Sequence, residues 1–263
     1  MKALTIYARS LLISLSAEIK LTMRIPRIFS RQAISSNSTL SLAEPQSHYV
    51  SKVLRMQVGR ELILFNGEGG EYTAEISAVS KKHVEVLVKD FFPENRESPL
   101  HLELAIGVSR GERMDWVLQK ATELGVTKII PLVTERTEVK LGAERGDKKM
   151  DHWQQIIISA CEQCQRNLLP ELTEPTKFSE WIVRCESELK FVLHHRDSQK
   201  LPHDQKPKSV ALLIGPEGGL DDDEIALAIS HKFSPLTLGP RVLRTETAPL
   251  AAISLAQHLW GDF

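Results

Sequence analysis

Cysteine is scarce in this chain of 263 residues: Cys161, Cys164 and Cys185 are all it has, an odd number and too few for a disulfide framework, so a reducing, cytoplasmic setting is expected. Cys161-Glu162-Gln163-Cys164 has the spacing of half a zinc site or of a redox pair. No second Cys/His half-site stands at finger-like spacing, so no metal is expected. Long apolar runs are also lacking, and a membrane span needs about 20 such residues. Leu11 to Leu15 is short and is flanked by Arg9, Glu18 and Lys20, which argues against a secretory signal. An excess of either charge is missing as well. With 33 Lys and Arg against 34 Asp and Glu the formal net charge is -1, which excludes wholesale non-specific nucleic-acid binding and leaves only local basic patches. A Gly-Lys-Ser/Thr loop and a dinucleotide fingerprint are absent too, which removes a nucleotide-dependent kinase.

What is present is a pair of glycine-containing loops near the C-terminus. Leu213-Ile214-Gly215-Pro216-Glu217-Gly218-Gly219 and Leu238-Gly239-Pro240-Arg241-Val242-Leu243-Arg244-Thr245-Glu246-Thr247-Ala248 each follow an apolar run and lead toward a helix. Successive loops of this kind are expected side by side at the carboxyl edge of a parallel sheet, where open α/β folds bind ligands. Glu217 and Asp221 to Glu224 make the first loop acidic, so phosphate is repelled and a neutral or cationic ligand fits. Glycines permit its close approach. The plainer alternative is a strand-to-helix turn with Asp221 as N-cap and Glu224 completing a capping box. For the second loop, the plainer alternative is Thr245 or Thr247 as a cap, with the arginines solvated or paired with Glu246.

The chain divides by pattern. Up to about residue 93 the runs are short and β-branched, including Glu61 to Phe65, Tyr72 to Ile76 and His83 to Val88, as in a small β-barrel or sandwich; the helical candidate is Ser47 to Leu54. Pro93 to Pro99 is polar with two prolines and is expected as a linker. Beyond it strands alternate with helices. Strands are expected at Leu100 to Val108, Thr127 to Val133, Phe191 to Leu193, Val210 to Ile214 and Pro235 to Leu238. Helices are expected at Met114 to Leu124, Lys148 to Gln165, Trp181 to Glu188, Asp223 to Ser230 and Ala248 to Trp260. The fold class is α/β, a mostly parallel sheet with helices on both faces.

Both loops, their order and their distance from the C-terminus resemble the SPOUT class of S-adenosylmethionine-dependent RNA methyltransferases. Met23-Arg24-Ile25-Pro26-Arg27-Ile28-Phe29, Val53-Leu54-Arg55-Met56, Ser109-Arg110-Gly111-Glu112, Glu123-Leu124-Gly125 and Ala160-Cys161-Glu162-Gln163-Cys164 are similar to the bacterial family that methylates N3 of a uridine in 16S ribosomal RNA. The resemblance runs from Met23 to Phe263 and leaves residues 1–22 as an extension, so Met23 is the expected initiator. It implies a knotted C-terminal sheet over 100–263, a PUA-like RNA-binding barrel over 23–93, a linker over 94–99, S-adenosyl-L-methionine as cofactor, and a homodimer whose partner helps complete the site. The implied substrate is 16S ribosomal RNA in the small subunit.

Methyl transfer from a sulfonium needs positioning and charge management rather than a metal or covalent nucleophile. Leu193, Leu213, Ile214, Leu238 and Leu243 suit the adenine, while Gly215, Gly218, Gly219 and Gly239 let the loops wrap the cofactor. Glu217 faces the ribose or the sulfonium, and Thr245 adds a polar group. The resemblance also places a cofactor-facing loop at His194-His195. Negative charge on uracil calls for an arginine, Arg244 first, then Arg136 and Arg166. Glu246, Glu162 and Glu123 are the carboxylates available as a base. Arg24, Arg27, Arg31, Lys52, Arg55, Arg110 and Arg113 supply RNA contacts. The alternative is a catalytically silent RNA-binding or ribosome-assembly module that keeps the barrel and no longer uses the cofactor.

Overall fold

Short strands with alternating burial build the first part of the chain. The structure is a computed structural model and describes residues 25–80, 83–139, 143–194, 201–202 and 204–263, with backbone alone for 143–145. The expected extension, Arg24, and His195 lie outside the described residues. The chain forms two units, one up to Asn66 together with Gly70–Pro93, the other Gly67–Gly69 with Glu94–Phe263.

In the first unit, β1 (Arg27–Phe29), β2 (Ser38–Ser41), β3 (Glu61–Phe65), β4 (Glu71–Val79) and β5 (Val84–Phe92) form a five-stranded sheet in the order β1-β3-β4-β5-β2. β1 and β2 are its edges, and among the described residues no ladder closes one on the other. Period-two side chains Leu62, Leu64, Ala74, Ile76, Val84, Val86 and Val88 point to one interior, joined by Ile28 and by Val50. Burying each large aliphatic there contributes about 1.5–3 kcal/mol. Val50 comes from a helical stretch that starts as α1 (Glu44–His48) and continues as a π-turn, Tyr49–Val53. It begins before the expected Ser47 because Pro45 suits a first helical turn, where its missing N–H costs nothing.

Arg27 is corrected here. Its side chain is 5% exposed and its Nη1 lies 2.8 Å from Glu71 Oε2. A guanidinium spent on a buried carboxylate is withdrawn from RNA phosphates.

The second unit holds β6 (His101–Gly107), α2 (Glu112–Glu123), β7 (Lys128–Val133), α3 (Ala143–Cys164), β8 (Glu171–Leu172), β9 (Thr176–Lys177), α4 (Phe178–Trp181), β10 (Leu189–Leu193), β11 (Ser209–Ile214), α5 (Asp222–Ser230), β12 (Ser234–Leu236) and α6 (Ala248–Trp260). Its seven-stranded sheet is parallel in the order β12-β10-β11-β6-β7-β8, with β9 also on β7. Register places Val192, Leu213, Ala105 and Ile130 on one face. Phe178 and Trp181 of α4, Ile182, and Ala228 of α5 cover that face. On the other face Phe191 stacks on Trp260 of α6, centroids 6.0 Å apart. Both faces are therefore covered, as a parallel sheet requires.

One helix is displaced from expectation. The stretch expected at Trp181 to Glu188 is α4 followed by a 3-10 turn, Ile182–Arg184. Phe178, Trp181, Ile182 and Cys185 are the buried positions, spaced i, i+3, i+4 and i+7, so the helical period starts earlier than the tryptophan.

Candidate active site

The first glycine loop leaves β11 and is drawn tight. Gly219 N–H donates to Pro216 O at 2.8 Å and Gly219 has φ +71°, which closes a turn on a residue that tolerates the left-handed region. A Cβ on Gly215 would stand 2.6 Å from Leu220 N and 2.7 Å from Gly219 C. The neighbouring strand β6 ends in Gly107, where Pro216 occupies the place of a side chain. Below the loop, Asp221 accepts from Glu224 N–H at 2.7 Å while Glu224 Oε2 accepts from Asp221 N–H at 3.0 Å, so the capping box is made. Glu224 Oε1 also accepts from Glu135 N–H at 3.0 Å, tying α5 to the end of β7.

Arginines brace this loop from outside. Arg136 Nη1 donates to Gly218 O at 2.8 Å and to Leu220 O at 3.4 Å, so Arg136 props the first loop and points its charge at that loop's carbonyls. Glu217 Oε1 accepts from Arg110 N–H at 2.9 Å and from Arg113 Nη1 at 3.1 Å. Partial burial pushes the Glu217 carboxyl up, but the Arg110 and Glu217 amides and the Arg113 guanidinium outweigh it and hold it below the usual carboxylate range.

The second loop runs from β12 to α6. Thr247 and Ala248 N–H both donate to Arg244 O at 2.9 Å, which folds the loop into a turn before the helix. Thr247 is the N-cap residue, yet no side chain caps α6. Glu246 Oε1 lies 3.8 Å from Arg244 Nη1, and its Oε2 lies 4.0 Å from Arg113 Nε. Arg244 is 81% exposed at its side chain. Leu238, Leu243 and Thr245 are partly buried, and Gly239 has φ +80°.

The strands that carry the two glycine loops are not adjacent. β10 runs between β11 and β12, and its end carries Leu193 and His194 into the gap. His194 N–H donates to Leu236 O at 3.1 Å and His194 O accepts from Thr237 Oγ1 at 2.7 Å, which fixes that end to β12. Three strand ends thus frame the site, with both half-buried residues in the middle. Leu213 is fully buried in the core on the α4 and α5 side, and Ile214 is 4% exposed, so they support the loop from beneath instead of presenting side chains to a ligand.

Arg166 also leaves the candidate set. It is buried, with Nη1 donating to Thr122 O at 2.8 Å and to Val126 O at 2.9 Å and Nε to Glu97 Oε1 at 3.0 Å. The segment expected as a linker is tied to the second unit by this pair and by Asn167 Nδ2 donating to Glu94 O at 3.0 Å. Burial pushes the Cys161 thiol up to about 12 and raises those of Cys164 and Cys185, which keeps them as thiols at neutral pH. Among the described residues no group of three His, Cys, Asp or Glu side chains is placed to hold a metal ion, and no helix is long and apolar enough to cross a membrane.

Of the remaining RNA candidates, Lys52 and Arg55 are exposed in the first unit, and Arg55 has φ +51°. Arg110 is exposed in the second unit, with Nη2 2.6 Å from Glu138 Oε2. Arg113, assigned only to a basic patch by the sequence, sits against both loops. The available signal was its place in the Arg110-Gly111-Glu112-Arg113 turn at the carboxyl end of β6.

At two glycines of these loops the backbone lies open to close approach. Nothing lies within 4 Å of a Cβ built on Gly219, and only Arg241 Nη2, at 3.8 Å, near one on Gly239. A Cβ at Gly215, by contrast, meets the backbone of Gly219 and Leu220. Overpacking of that kind costs about 1–3 kcal/mol, so Gly215→Ala is expected to weaken binding of S-adenosylhomocysteine by about 10- to 100-fold. Calorimetry measures it, with Gly146→Ala as the control, since nothing lies within 4 Å of a Cβ there and the site is helical. Equal affinity in the Gly215 variant rejects the tight-turn account.

Comparison with known proteins follows the same division. A family described as RNA methyltransferase domain matches residues 96–257, and one described as RNA methyltransferase PUA domain matches residues 42–89. The chain is 39% identical to the ribosomal RNA small subunit methyltransferase E of Buchnera aphidicola subsp. Schizaphis graminum over 91% of its own length and 98% of the relative's. It is 35% identical to the Bacillus subtilis protein of the same name, covering 87% and 93%. Among solved structures, a methyltransferase from Legionella pneumophila in complex with the cofactor SAM is 46% identical with a TM-score of 0.89, covering 92% of this chain and all (100%) of the other. A ribosomal RNA small subunit methyltransferase E from Neisseria gonorrhoeae bound to S-adenosyl methionine is 37% identical with a TM-score of 0.85, covering 91% and 100%.

Proposed function

The chain belongs to the ribosomal RNA small subunit methyltransferase E family, and on that premise we propose that it transfers a methyl group from S-adenosylmethionine to N3 of a uridine in 16S ribosomal RNA. The proposal includes a cytoplasmic homodimer that acts during maturation of the small ribosomal subunit. The observation that carries it is the division of labour between the loops: open backbone at Gly219 beside the carboxylate of Glu217 after β11, and an exposed guanidinium, Arg244, after β12.

S-adenosylmethionine, when bound, supplies a methyl carbon already activated by a sulfonium, so direct displacement is sufficient. Gly218, Gly219 and Gly239 present backbone to it, Leu193, His194, Leu238 and Leu243 line the frame, and Glu217 offers a fixed negative charge. As N3 of uracil loses its proton, charge spreads onto the flanking carbonyl oxygens. Arg244 would meet that charge, with Glu246 Oε1 3.8 Å from its Nη1 as a loose partner on the same loop. Lys52, Arg55 and Arg110 serve the RNA backbone, where phosphate contacts make affinity fall as salt rises.

Labelled S-adenosylmethionine and small-subunit particles from a strain lacking the enzyme provide the test. Label is expected in 16S RNA as N3-methyluridine, identified by nucleoside mass spectrometry. No transfer to RNA of any kind would sink the proposal, and with it a failure to bind S-adenosylhomocysteine would leave the silent module.

A further inference from the structure

Arg113 links the two loops by charge. Its Nη1 lies 3.1 Å from Glu217 Oε1 on the first loop, and its Nε lies 4.0 Å from Glu246 Oε2 on the second. The other oxygen of Glu246 lies 3.8 Å from Arg244 Nη1. Four side chains of alternating sign therefore run from the loop after β11 to the guanidinium proposed to meet uracil. One end is firm, because Arg113 stands in the first turn of α2 and Glu217 is also held by the Arg110 amide at 2.9 Å. The other end is free, because Arg244 is 81% exposed.

We propose that Arg113 is a positioning residue that couples the methyl-donor loop to the loop carrying Arg244. This rests on the proposed function, in which those loops hold donor and acceptor. The physical reason is the fork of arginine: Nη1 donates to a carboxylate on one segment while Nε faces a carboxylate on another at 4.0 Å, which a single lysine ammonium does not reproduce. Glu246 is the shared acceptor, so losing either Arg113 or Glu246 releases the second loop to the same extent. Misplacement of a catalytic group by about 1 Å can cost about 100-fold in rate.

The coupling is read first without cofactor or turnover, by amide exchange at Thr247 and Ala248, whose N–H groups bond Arg244 O. Arg113→Ala and Glu246→Gln are each expected to speed that exchange about tenfold, and the double variant no further, because fluctuation of the loop is the quantity released. In turnover, each is expected to lower kcat by about 10- to 100-fold, with the double no worse than the weaker single, with unchanged melting temperature and, in Glu246→Gln, which leaves the Arg113–Glu217 pair in place, an unchanged KM for the methyl donor. Arg113→Lys is expected to stay as low as Arg113→Ala. Unchanged exchange, effects that multiply in the double variant, or wild-type kcat in Arg113→Ala would each overturn the coupling. An inactive wild-type protein instead overturns the proposed reaction, while the exchange result still decides whether the loops are coupled.

Discussion

Replacing Arg244 by Ala is expected to lower kcat for RNA methylation by about 100- to 1,000-fold, the loss that follows removal of one donor aimed at a developing anion. Affinity for S-adenosylhomocysteine is expected to stay within about twofold, because the residue serves the acceptor and not the donor. The geometry supports that separation. Arg244 lies on the second loop, its side chain is 81% exposed, and its recorded ion pair is the loose 3.8 Å contact with Glu246. None of the bonds that shape the first loop involves its side chain. In water an exposed arginine stabilises an anion weakly, so the predicted size requires that docked RNA exclude water around it. Arg244→Lys keeps the charge and loses the planar fork, and is expected to fall between wild type and Ala. Single-turnover rates against RNA, with calorimetry for the cofactor product, make the measurement. Equal turnover in Arg244→Ala rejects the role, and a parallel loss of cofactor affinity moves Arg244 to the donor side.

How much of this was legible depended on whether the cause was local. α6 begins at Ala248 and ends at Trp260 and β3 runs from Glu61 to Phe65 as the pattern predicts, because periodicity and flanking turns lie within a few residues. The capping box at Asp221 and Glu224 was readable for the same reason. The strand order was not. That β10 separates the strands carrying the two glycine loops depends on a crossover between β11 and β12, which no local pattern encodes. β8 and β9 have two residues each, too short for any alternation to register. The arginines divide the same way: an Arg in sequence is a cation of unknown partner, and Arg27 and Arg166 are claimed by Glu71 and Glu97, 44 and 69 positions away. Motif position marked Arg244 and Arg136 as belonging to the site. Both are exposed, and only three-dimensional contacts single out Arg136 as the brace.

Arg166 makes that difference measurable, since a buried clamp and a catalytic cation fail in different ways. Its side chain is 5% exposed and Glu97, at 12%, accepts from it through both carboxylate oxygens. Its Nη1 takes the carbonyls of Thr122 and Val126, which end α2 and lead into β7. Arg166→Ala strands a buried carboxylate and two carbonyls at once, and breaking a buried pair from one side costs about 3–5 kcal/mol. For a unit of this size each kcal/mol lowers the melting temperature by about 2–4 °C, so a fall of about 6–20 °C is expected. Replacing both partners, Arg166→Met with Glu97→Leu, removes the stranded charge and is expected to be less damaging than the single change, although the carbonyls stay unpaired. At a temperature where Arg166→Ala is still folded, kcat is expected to remain near that of the wild type. Unchanged melting with a large loss of kcat would reverse the assignment and return Arg166 to the reaction.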